Sequence, residues 1–180
     1  MRKIVIIFIM FCIVVGCGVN NTARDAVEDF LNKYQMNDQR IINELEKLSD
    51  RENFNEEQRK EYIDILKEQY KTLKYEIINE EHEDGEATIT VRITVRNLHR
   101  VQEDVGNYLA ENPNSFNDSE GNFNNDLFLN YKLEQMKTTT YTIDYTTQFF
   151  VTRRNREWQV RQPSTTVLEK IHGIYNYENR

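Results

Sequence analysis

Two hydrophobic periods divide this chain, and their order limits the fold more than any single motif. Up to Lys74 apolar residues recur at helical spacing, and from Tyr75 they alternate with polar ones. Asn21 or Thr22, with Asp25 after it, signals a helix start, and Ala26, Val27, Phe30, Leu31 and Tyr34 share one face. A second helix follows Asp38, with Ile41, Ile42, Leu45 and Leu48 on its apolar side. A third opens at Asn55 with Gln58 and carries Tyr62, Ile65, Leu66, Tyr70 and Leu73. Strands are then predicted over Tyr75 to Glu83 and Glu86 to Leu98, joined at Asp84-Gly85, a hairpin dipeptide. Alternation resumes from Thr138 and passes a turn at Arg154-Asn155-Arg156 into a short strand with Trp158 and Val160 inward.

Between the hairpins lies a helical insertion. Val101, Val105, Tyr108 and Leu109 share a face, Pro113 closes the segment, and Asn112 to Asn125 reads as a mobile polar loop. Leu127 to Met136 is helical but apolar nearly all round, so its facing is open. Ser164 caps a last helix bearing Val167, Leu168, Ile171, Ile174 and Tyr175. The expectation is an α+β fold: helices on one face of a mainly four-stranded antiparallel sheet, with a helical insertion between strands 2 and 3 and a C-terminal helix.

Composition limits the function classes. Among 180 residues, 30 acidic side chains outnumber 23 basic ones, a formal charge of −7, so no nucleic-acid partner is expected. Two cysteines cannot build a disulfide framework or a four-cysteine zinc site.

The start is basic (Arg2, Lys3), then apolar without a break from Ile4 to Val15, then Gly16-Cys17-Gly18. The apolar run is shorter than the roughly 20 residues of a membrane span and reads as a secretory signal. Val14-Val15-Gly16-Cys17 resembles the lipobox of bacterial lipoproteins. That resemblance implies cleavage between Gly16 and Cys17, a diacylglyceryl group on Cys17, and a lipid-anchored location on the extracytoplasmic face of the cell membrane. The expected division is a signal over 1–16, a lipidated tether over 17–22, one domain over 23–175, and a tail over 176–180. Two acyl chains contribute on the order of 20 kcal/mol, from about 0.8 kcal/mol per buried CH₂. Repulsion of an acidic domain is on the order of 1 kcal/mol per charge and fades within about 8 Å, so the anchor prevails.

The helical start, the long antiparallel strands and the closing Trp158-Gln159-Val160 resemble small lipoproteins of Gram-positive bacteria with a cystatin-like half-barrel. The nuclear-transport-factor superfamily shares that architecture. The ending Leu168-Glu169-Lys170-Ile171-His172-Gly173-Ile174-Tyr175 is similar to how several such lipoproteins end. Where they carry Asp-Gly or Asn-Gly before the tryptophan, this chain has Arg154-Asn155-Arg156-Glu157. The resemblance implies a conical sheet able to hold a small ligand.

Two surfaces are candidates for function. Arg153, Arg154, Arg156 and Arg161 surround one hairpin, either guarding an edge strand or forming a patch for an envelope protein or anionic polymer. Tyr141, Tyr145, Phe149 and Trp158 fall on the inward sheet face, as core or as the wall of a small-molecule pocket. The acidic run Glu80 to Glu86 reads as a solvated hairpin tip, because Glu81 and Glu83 face away from His82. His82, His99 and His172 are scattered and read as surface or capping residues. Asp144 is placed to pair with Arg92 or Arg96 across strands. These spacings imply no cofactor, metal or catalytic residue. The leading expectation is a non-catalytic interaction domain on a lipid anchor; the alternative is a small-molecule binder using the concave aromatic face.

Overall fold

In the computed structural model, residues 22–50 and 52–176 are described. The signal and lipidation assignments, Gly16 and Cys17 included, lie outside the described residues. Helix α1 (Ala23–Gln35) begins where Thr22 and Asp25 exchange side-chain and backbone hydrogen bonds, a reciprocal capping box. Asp38 caps α2 (Gln39–Ser49), and Asn55 with Gln58 forms a second capping box at α3 (Glu56–Thr72). The three helices bury Val27, Leu31, Tyr34, Leu45, Tyr62, Leu66 and Tyr70.

The sheet is an antiparallel meander, β1 (Lys74–Glu83), β2 (Glu86–Arg96), β3 (Thr142–Arg154) and β4 (Glu157–Val160), in spatial order β1-β2-β3-β4. Its buried face is layered by register. Ala87 stands opposite Val151, Ile89 opposite Phe149, Val91 opposite Thr147 and Ile93 opposite Tyr145. In β1 the register slips at Ile78, an extra residue that moves the inward positions from Tyr75 and Ile77 to Glu80 and His82. The bulge has no signature in the alternation and was not expected. Beyond the bulge, the rings of His82 on β1 and Trp158 on β4 lie 6.2 Å apart. The fold is α+β, as expected, with the helices on one face of this sheet.

The β2 strand ends at Arg96, two residues before the expected Leu98. Asn97 accepts from the Arg100 N–H and starts α4 (Leu98–Glu111), with Leu98 buried in its first turn. The stretch expected to be a mobile loop is folded instead. Asp118 accepts from the Glu120 and Asn122 backbones, Asn117 bridges Phe123, and Phe116 is buried. Polar composition concealed one aromatic that organises the rest. Helix α5 (Asn125–Thr138) turns Leu129, Leu133 and Met136 inward, and Gln58 of α3 donates to Asn130 at 2.8 Å.

The last helix, α6 (Thr165–His172), ends at Gly173 with φ +73°, so Ile174 and Tyr175, expected on its apolar face, lie beyond it. A Cβ at Gly173 would stand 2.2 Å from the Arg96 carbonyl, so the position needs glycine for space as well as for its left-handed conformation. Lys170, though charged, is buried, and its ammonium donates to the Thr146 carbonyl of β3 at 2.8 Å.

Candidate functional site

The end of the molecule holding both hairpin turns also holds the start of α1. Arg24 in the first turn of α1 pairs with Glu80 near the end of β1. At the other end of α1, Gln35 donates to the Leu73 carbonyl, and Asn32 accepts from the Tyr75 hydroxyl. Helix α1 therefore runs antiparallel to β1. The arginine turn stands beside the acidic one, because the Arg153 N–H donates to the Gly85 carbonyl and Arg161 approaches Glu86 at 4.0 Å. Arg153, Arg154, Arg156 and Arg161 are all exposed, as expected. They share their surface with exposed Glu81, Glu83, Asp84, Glu86 and Glu157. Opposite charges within a Debye length cancel much of each other's field, so the patch is mixed in sign.

The four aromatics assigned to a concave pocket do not come together as one. Tyr145 and Phe149 are fully packed: Phe149 lies 5.6 Å from Phe30, and the Tyr145 hydroxyl donates to the Tyr175 carbonyl. Tyr141 precedes β3 and is 47% exposed, with the Arg100 guanidinium 4.0 Å above its ring. Trp158 is half-buried against His82. The helices cover this face of the sheet, a tertiary outcome that alternation alone does not encode. Asp144 also takes a different partner: it accepts from the Thr94 hydroxyl at 2.6 Å, while Arg92 pairs with Glu76.

The site-like recess lies elsewhere, between α2, α3 and α6. Tyr34, Leu45, Tyr70, Leu168, His172 and Ile174 line a cleft of about 350 Å³, rimmed by Glu44, Lys47 and Glu169. The Tyr70 hydroxyl is 2.7 Å from His172 Nδ1, and Tyr34 packs edge-on against Tyr70 at 5.1 Å. Gln69 donates to the His172 carbonyl, while its own buried Oε1 has no hydrogen-bond partner. Burial pushes the His172 ring down to about 4 and the Tyr70 hydroxyl well above its ordinary value, with Tyr34, Tyr62 and Glu44 adding to the latter. Both groups are neutral at neutral pH. The Tyr70 hydroxyl and His172 Nδ1 satisfy each other's hydrogen bonding at the floor of the cleft. His172, expected as a surface or capping residue, is instead packed against Tyr70, which its position just before the capping glycine did not indicate.

A larger recess of about 490 Å³ beside α3 and α5 is charged, and its Lys137 and Glu61 pair with each other at 3.0 Å. Among the described residues, no three His, Cys, Asp or Glu side chains converge to hold a metal ion, and no helix is long and apolar enough to cross a membrane. No family model matches the chain, and no curated protein or solved structure matches it either.

Proposed function

We propose that this chain is a bacterial envelope lipoprotein, anchored through Cys17 on the extracytoplasmic face of the membrane, with a non-catalytic interaction domain. The observation that supports it is the short interval between Cys17 and the capped start of α1 at Thr22, following a basic and apolar leader. Residues 18–22 reach about 17 Å at roughly 3.4 Å per residue, enough to hold most of an acidic domain beyond the screening length. The test is metabolic labelling with radioactive palmitate in a bacterial host. The wild-type chain takes up label and stays in the membrane fraction, whereas Cys17→Ala takes up none and leaves it. Equal labelling of the two chains would end the proposal.

A second reading is small-molecule binding, favoured by the cleft between α2 and α6 rather than by the concave sheet face. Its volume and its largely apolar lining around a neutral Tyr–His pair suit a small amphipathic molecule. Native mass spectrometry of the full chain extracted in mild detergent should then show a retained mass that Leu168→Trp displaces. A bare chain in both cases would count against it.

A further inference from the structure

The insertion between β2 and β3 carries an aromatic cluster in which Phe128 and Tyr131 pack against the main core, while Tyr108, Phe116 and Phe123 extend it outward. Tyr108 stacks on Tyr131 at 5.2 Å, Phe116 sits 5.3 Å from Tyr131 and 5.4 Å from Phe128, and Phe128 reaches Phe123 at 5.9 Å. The cluster is only partly covered, for Tyr108 is 39% and Phe123 49% exposed. Contiguous exposed aromatics of this kind mark interaction surfaces more often than isolated ones do.

The charge around the cluster is of one sign. From Val101 to Tyr131 there is no lysine or arginine, while Glu103, Asp104, Glu111, Asp118, Glu120 and Asp126 are all exposed. Arg100 pairs with Asp104 at 3.8 Å at the start of α4, whereas Glu111, Asp118, Glu120 and Asp126 stand in a stretch without a basic side chain. A surface of this kind repels anionic polymers and anionic lipid and attracts cationic partners. Its position agrees. The insertion leaves the sheet at the end of β2 opposite the hairpin turns, about 33 Å away at roughly 3.3 Å per residue along that strand. On the lipoprotein reading, that is the end farther from the anchor.

We infer that the α4–α5 insertion is a docking surface for a cationic segment of another protein, whose apolar side chains pack on Phe123 and Tyr108 while its Lys and Arg residues face the acidic rim. The placement of this end away from the membrane rests on the lipoprotein reading, but the docking chemistry does not. The test uses the full chain in its host, with the photoreactive residue p-benzoylphenylalanine in place of Phe123 or, separately, of Arg154. The expected result is an adduct at position 123 and none at 154, on a partner peptide rich in Lys or Arg and bearing apolar side chains. Glu111→Lys combined with Glu120→Lys should lower its yield on the order of tenfold, with the melting temperature unchanged. An adduct with lipid, with a second copy of this chain, or with an acidic peptide overturns the inference. So does an adduct that survives charge reversal, or none at position 123. Palmitate labelling is read independently, so failure of the anchor and failure of the docking surface remain distinguishable.

Discussion

Arg156 occupies the second position of the turn between β3 and β4 with φ +72°, after Asn155 at φ +51°. Both lie in the left-handed region that a two-residue type I′ turn requires, and asparagine tolerates it where arginine does not. The cost for a residue with a Cβ is about 1–2 kcal/mol, partly matched by the backbone entropy a glycine loses on folding. Arg156→Gly should therefore raise stability by about 0.5–1 kcal/mol in thermal or urea melts. A loss of stability would mean that the arginine side chain makes a contact worth more than the strain. At this scale much was readable from sequence. Thr22, Asp38, Asn55 and Ser164 cap helices where their types and spacing indicated, because capping is settled within four residues. His172 was not readable, since burial of a ring at a helix end depends on which helix lies across it.

At the scale of elements, α6 is eight residues long and too short to persist without docking. It is held at its end by the Tyr70–His172 contact and along its length by Lys170. That docking carries a pH dependence whose sign follows from the ring's lowered value. In the unfolded chain the imidazole titrates near 6.5, and in the folded chain near 4, so the unfolded state takes the proton first. The contribution is flat above about pH 6.5, costs stability as the pH falls from there toward 4, and is flat again below. Its full size is about 3 kcal/mol. Tyr34, Tyr70, Glu44, Lys47 and Glu169 share the cleft with the ring. His172→Gln should flatten the decline in stability between pH 6.5 and 4 relative to wild type. Parallel curves would mean that the ring charges without leaving its place. Elements with a strong period were legible in the chain, as α1, α3, β2 and β3 show. The Ile78 bulge was not, because it depends on the pairing with β2, and the folded stretch after Pro113 was not, because Phe116 is buried against Tyr108, Phe128 and Tyr131 of the flanking helices.

Across the whole molecule, the two hairpin turns and the start of α1 share one end, and the α4–α5 insertion occupies the other. The α+β class was legible because the two periods follow each other along the chain without mixing. The candidate site was legible only in part. The arginines are exposed as expected, but filling of the concave face by Phe30, Tyr145 and Phe149 is decided by helix placement. The acidic character of the insertion was present in the sequence all along, in 31 consecutive residues without a basic side chain. It gains meaning only once the structure sets exposed aromatics among those charges. One detail of the sheet bears on how many such molecules can share a surface. Among the described residues, strand β4 pairs with β3 only from Val151 to Arg154, and no strand lies along the outer backbone of β3 from Thr142 to Gln148. The Lys170 ammonium already occupies the Thr146 carbonyl on that border. A strand from a neighbouring molecule would have to evict a buried cation before it could add to the sheet. If the lipoprotein proposal holds and copies are crowded into the plane of a bilayer, they should resist being stitched together into fibrils along that border.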